Sequence, residues 1–171
     1  FQSGEFSTLY THCDGEALKG PNDIVFDAQG GFWFTDHGKN RARDKDRTGV
    51  FYALPDGSQI TEAIFPLEAP NGIGLSPDEQ ELFVAETPTG RLWAYPLAGP
   101  GVIDADKPRR LVNGRQGFFM FDSLAVDANG DVCVATLVDG GITTLSAAND
   151  APSFVSMPDR VTRRICFGGP N

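Results

Sequence analysis

The chain has 171 residues, with 14 lysines and arginines against 23 aspartates and glutamates, a formal net charge of −9 at pH 7. This balance argues against nucleic acid as a partner, and no apolar run reaches the roughly 18 residues that argue for a membrane helix. Hydrophobic residues make up 40 % and charged residues 22 %, the composition of one globular domain.

Residues 6–10 read as the late strand of a structural unit that precedes the first complete one. Pro21-Asn22-Asp23-Ile24-Val25-Phe26-Asp27 then carries a small polar residue, spacers and an alternating apolar strand. Residues 27–31 form a hairpin turn, with glycine supplying positive φ, and Phe32-Trp33-Phe34 returns. Alternation predicts that Asp23 points away from Asn22. Asp36-His37-Gly38 follows, and His37 is a candidate substrate contact or second acid/base, with a plain turn histidine as the alternative. The loop 39–47 mixes both charges and reads as a solvated surface loop, with substrate gating by Arg41 or Arg43 as the other option. Residues 48–54 and 59–60 complete four antiparallel strands.

The phrase returns as Pro70-Asn71-Gly72-Ile73-Gly74-Leu75-Ser76 and as Phe121-Asp122-Ser123-Leu124-Ala125-Val126-Asp127. Each copy has its own return strand, Leu82-Phe83-Val84 and Val132-Cys133-Val134, and its own second half around Arg91-Leu92-Trp93 and Gly141-Ile142-Thr143. Glu86 ends the middle return strand and is a candidate substrate contact facing the shared axis. Residues 118–121 either wall an apolar pocket or belong to the core. Residues 162–167 read as the opening strand of a further unit. The three cysteines, Cys13, Cys133 and Cys166, fit no zinc spacing and are expected to stay unpaired, which favours a reducing, cytoplasmic compartment.

Asn22, Asn71 and Asp122 are spaced 49 and 51 residues apart. A period of roughly 40–50 residues made of short strands is the signature of a β-propeller or a similar array. The expected fold is therefore all-β, with blades over roughly 20–65, 70–115 and 121–157 and partial blades over 1–19 and 162–171. Propellers close with about four to eight blades. The expectation is a piece of a longer ring, with self-association through open blade edges as the other way to close it. Equivalent blade positions face one axis, so two amides and a carboxylate converge there. Oxygen donors of this kind suit a hard divalent cation. The alternative for each residue singly is turn capping.

These phrases resemble the regucalcin/gluconolactonase/luciferin-regenerating-enzyme (senescence-marker-protein-like) family. The resemblance rests on Pro21-Asn22-Asp23 with Gly31-Phe32-Trp33-Phe34-Thr35-Asp36. It rests also on Asn71-Gly72-Ile73 with Ser76-Pro77-Asp78-Glu79 and Val84-Ala85-Glu86-Thr87, and on Asp122 with Asp127 and Gly130. It implies a six-bladed propeller holding one divalent cation, usually Ca2+, in its central channel. It implies that Asn71 is a metal ligand, that Asp122 is both a ligand and the catalytic base, and that Asn22 touches the metal or orients substrate and water. The family's first-blade glutamate ligand has no counterpart here, and Gly20 stands where some members have a substrate-binding arginine.

The expected activity is metal-dependent opening of a lactone. The cation polarises the carbonyl, and Asp122 serves the attacking oxygen. With one carboxylate among the ligands, weak binding near the millimolar range is expected. Zn2+, Mg2+ and Mn2+ remain open alternatives to Ca2+. Other readings are a propeller that binds metal or ligand without turnover, and a phosphotriesterase or arylesterase on the same fold. With only His12 and His37 present and no Gly-x-Ser-x-Gly, a serine triad has no basis.

Overall fold

The computed structural model describes residues 6–112, 117–146 and 151–168. A short hairpin, β1 (His12–Cys13) and β2 (Glu16–Ala17), leads into three antiparallel sheets. The first contains β3 (Pro21–Phe26), β4 (Phe32–Asp36), β5 (Thr48–Ala53) and β6 (Ile60–Leu67), paired in that order. The second contains β7 (Pro70–Leu75), β8 (Glu81–Glu86) and β9 (Arg91–Gly99), with β10 (Val102–Ile103) and β11 (Arg110–Leu111) both pairing with β9. The third runs through β12 (Met120–Val126), β13 (Val132–Leu137), β14 (Gly141–Leu145) and β15 (Ser153–Ser156). The described residues hold no helix. Three meandering sheets whose first strands pack together, β7 against both β3 and β12, are consecutive blades of a β-propeller.

Packing between the sheets follows from strand alternation. In β8, Leu82 and Val84 turn toward the first sheet and join Trp33, Val50 and Tyr52. Phe83 and Ala85 turn the other way and join Phe121, Leu124 and Val134. A strand covered on both faces has no use for polar residues at its centre, so residues 82–85 of β8 are a continuous apolar run. Trp33 is 0 % exposed for the same reason, while Phe32 and Phe34 pack with Cys13 and Phe51 on the outer side of the first sheet.

The blade turns repeat one device. Asp27 accepts the N–H groups of Gln29 and Gly31 at 3.0 and 2.9 Å. Asp127 accepts those of Asn129 and Asp131 at 2.8 and 2.9 Å. In the middle copy the Ser76 hydroxyl accepts from Gln80 and Glu81 at 3.1 and 2.9 Å. A side-chain acceptor at the turn's first residue spares the turn amides from being left unpaired.

Two expected strands are absent. Residues 6–10 and 162–168 run without ladder pairing. Tyr10 is instead tied by its hydroxyl to the Leu54 and Gln59 carbonyls at 2.5 and 2.7 Å. The later segment lies beside β12, where the Ser123 N–H donates to the Arg163 carbonyl at 3.2 Å. Neither segment has a second strand in register with it, and a period-2 apolar pattern alone does not supply one. Cys13, Cys133 and Cys166 are free thiols.

Candidate functional site

The three marker residues sit on the same irregularity. Pairing on β3 steps three residues, from Pro21 to Ile24, while β4 steps two, from Asp36 to Phe34. The same mismatch occurs between Pro70 and Ile73 opposite Glu86 and Val84, and between Phe121 and Leu124 opposite Thr136 and Val134. Each inner strand therefore carries a β-bulge, over Asn22–Asp23, Asn71–Gly72 and Asp122–Ser123. A bulge inserts one residue and re-aims the side chains beside it.

These bulges bring Asn22, Asn71 and Asp122 to the wall of one cavity of about 410 Å³. A second tier comes from the residue just past the end of each return strand or at its last position: His37, Thr87 and Leu137. The backbone fixes two of them alike, His37 N–H to Gly20 O at 2.9 Å and Thr87 N–H to Ala69 O at 3.2 Å.

Asn71 is the best-held member, only 5 % exposed. Its Nδ2 donates to the Thr87 hydroxyl at 3.1 Å and faces the Asp122 carboxylate. A carboxylate accepts only, so the amide nitrogen must lie on that side. The amide oxygen is then left buried with no partner. A buried acceptor without a donor carries a cost on the order of 1–3 kcal/mol. A cation would remove that cost, and the amide and carboxylate oxygens around the cavity are hard donors of the right type. Among the described residues no three His, Cys, Asp or Glu side chains cluster as a metal site, so any cation here relies on the asparagines.

Burial raises the Asp122 carboxyl above its ordinary value. The Asn71 hydrogen bond, the Arg163 charge, the Ser123 N–H and His37 oppose that rise, in that order. His37 Nδ1 is buried without a partner. Thr35 links two blades: its hydroxyl accepts the Asp23 N–H at 3.1 Å and donates to the Asn71 carbonyl at 2.7 Å.

Three expectations change. Asp23 lines the same cavity as Asn22 rather than pointing away, because the bulge breaks the alternation. Its carboxylate receives the Ser123 hydroxyl at 3.2 Å. Thr87 rather than Glu86 reaches the cavity. Glu86 points to the opposite side of the strand end, where its carboxylate accepts the Glu68 N–H at 2.8 Å and the Thr89 hydroxyl at 2.7 Å. Asp36 does the same for the N–H groups of Lys19 and Gly20. The third change is the arrival of Arg163 and Arg164 at the cavity, where a further inner strand was expected. Arg41 pairs with Asp44 and Asp46 in an exposed loop, and neither it nor Arg43 lines the cavity. Phe119 and Phe121 are core, whereas Phe118 is 74 % exposed.

The sequence did hold a signal for the bulges. Asn22-Asp23, Asn71-Gly72 and Asp122-Ser123 each place two small or polar residues where strict alternation has room for one. Nothing comparable announced Arg163 and Arg164.

A family model described as SMP-30/Gluconolactonase/LRE-like region matches residues 1–171. The chain is similar to Lactonase drp35 of Staphylococcus haemolyticus, 32 % identical over 139 residues, which is 81 % of this chain and 42 % of that protein. It thus spans less than half the length of the curated relatives it matches. Among solved structures it is similar to a putative gluconolactonase, with 26 % identity and a TM-score of 0.77 over 98 % of this chain and 58 % of the other. A calcium-binding regucalcin of Agrobacterium tumefaciens shares the fold, with 21 % identity and a TM-score of 0.68 over 84 % of this chain and 47 % of the other.

Proposed function

The chain belongs to the SMP-30/gluconolactonase/LRE-like family, and from that premise we propose that it carries the cation-binding and proton-transfer residues of a lactone-opening hydrolase. The observation that carries this reading is the Asn71 amide oxygen, buried without a partner on the cavity that also takes in Asp122 and Asn22. The similarity to lactonases and gluconolactonases supports the substrate class. Asn71, Asp122 and Asn22 are the residues that would hold the cation, with Ca2+ the first choice for an all-oxygen donor set. When bound, the cation supplies Lewis-acid polarisation of the lactone carbonyl.

The protein groups account for the rest. Asp122 takes a proton from water as the water oxygen bonds to the carbonyl carbon. The ring C–O bond then breaks, and the proton passes to the departing ring oxygen, giving a hydroxy acid. Burial raises this carboxyl and strengthens it as a base, an effect that the bound cation would oppose. Asn71 holds that carboxylate in place through Nδ2. His37 and Thr87 lie beside the reacting face and contact the substrate, and Asn22 orients it from the first sheet.

Replacing Asp122 by Asn keeps the volume and removes the base. Turnover of a simple lactone should fall by about 10²–10⁴-fold, with the thermal melt retained. Turnover kept at the wild-type level sinks the mechanism. If the wild-type chain binds Ca2+ in calorimetry but opens no lactone, the metal-binding reading without turnover takes its place.

A further inference from the structure

The geometry points to an anion-binding subsite formed by Arg163 and Arg164, which makes the preferred substrate a lactone that carries an oxyanion substituent, a carboxylate or a phosphate. This rests on the hydrolase reading and specifies its substrate.

Both arginines line the cavity that holds Asn22, Asn71 and Asp122. Arg164 also borders a second space of about 520 Å³, walled by Ile24, Ile73 and Leu124 of the three inner strands. Asp23, Ser123 and Arg164 belong to both walls, so Arg164 stands where the polar site meets the apolar channel. The backbone here is anchored, since the Ser123 N–H at the third bulge donates to the Arg163 carbonyl at 3.2 Å.

Of the described arginines outside any ion pair, which also include Arg43, Arg109 and Arg160, these two alone line the cavity. Arg41, Arg47, Arg91 and Arg110 each face an aspartate or glutamate within 4 Å. Among the described residues neither Arg163 nor Arg164 forms such a pair. Of the two carboxylates on the cavity wall, Asp23 receives Ser123, while Asp122 receives Asn71 and feels the Arg163 charge without closing to an ion pair. A guanidinium presents a planar fork of donors matched to a carboxylate or phosphate. These two forks share the cavity wall with the Asp23 and Asp122 carboxylates, and with neither held in an ion pair they can turn their donors to an anionic group of the ligand. The lactone carbonyl would sit at Asn71 and Asp122 with its anionic arm reaching the arginines.

The test uses the full chain with Ca2+ and three lactones sharing one ring, which carry a hydroxymethyl, a carboxylate or a phosphate monoester. At least one anionic lactone should exceed the neutral one in kcat/KM by about tenfold or more, as expected for hydrogen bonds between charged groups. That ratio should collapse toward unity in the Arg163→Gln/Arg164→Gln variant, and the anion with the larger ratio names the substituent. A wild-type preference for the neutral lactone, or a ratio unchanged in the variant, overturns the subsite. If no lactone is opened, the hydrolase reading fails, and the matched non-hydrolysable lactams decide the subsite by calorimetry. Tighter binding of an anionic lactam, lost in the variant, upholds it; equal binding of all three overturns it.

Discussion

Tyr52 links a turn to the core. Its ring packs edge-on against Trp33 with centroids 5.0 Å apart, and its hydroxyl donates to Asp27 at 2.8 Å. Burial, then the Asp27 hydrogen bond and charge, push the phenol from 10 up to about 12. A phenol that ionises less readily folded than unfolded binds its proton more tightly in the native state. The stability it contributes is whole below pH 10 and is lost as pH rises toward 12, a change of about 2–3 kcal/mol. Tyr52→Phe should cost about 1 kcal/mol at pH 8 through the lost hydrogen bond. It should also flatten the alkaline loss. Urea midpoints at pH 8 and pH 11 for both proteins check this, and an equal alkaline loss in the two assigns it to other groups.

At the scale of the strand, the site depends on how closely β7 approaches β12. A Cβ on Gly72 would lie 2.6 Å from both the Asp122 carbonyl oxygen and the Leu124 nitrogen, backbone atoms that cannot swing aside. Gly72→Ala should therefore destabilise the fold by about 1–3 kcal/mol or more and separate Asn71 from Asp122. A Cβ on Gly99 meets nothing within 4 Å, so Gly99→Ala is the matched control with little effect. Thermal melts of the two variants compare them, and equal midpoints would remove the close approach as a constraint. This scale also marks where the sequence stops being readable. The repeated phrases at Asn22, Asn71 and Asp122 announce the blades and the convergence of those three residues, because equivalent positions must face one axis. The bulges shift the phase by one residue. Alternation alone therefore sends Asp23 to the wrong side and offers Glu86 where Thr87 stands. Arg163 and Arg164 were hidden differently. Residues 162–168 are placed by contact with β12 and not by a ladder, and no periodicity records a tertiary contact.

For the whole molecule, the residues proposed to hold the cation come from three different sheets, so binding would add a tie between blades that already meet through apolar packing and a few hydrogen bonds. A ligand that binds only the native state stabilises it by RT ln(1 + [L]/Kd), about 1.4 kcal/mol at ten times Kd. For a chain of this length that corresponds to a rise in Tm of roughly 3–6 °C. With a millimolar Kd, about 10 mM Ca2+ should produce it. The net charge of −9 complicates the reading, because any salt relieves self-repulsion and raises Tm somewhat. The comparison must therefore hold ionic strength constant with NaCl. A site-specific rise survives that control and disappears in Asn71→Ala, whose truncated side chain no longer offers the buried oxygen. A rise matched by NaCl, or retained in Asn71→Ala, would mean that the cation screens the surface and does not bridge the blades. The orphaned amide oxygen would then need another donor, most simply a water molecule or the substrate itself.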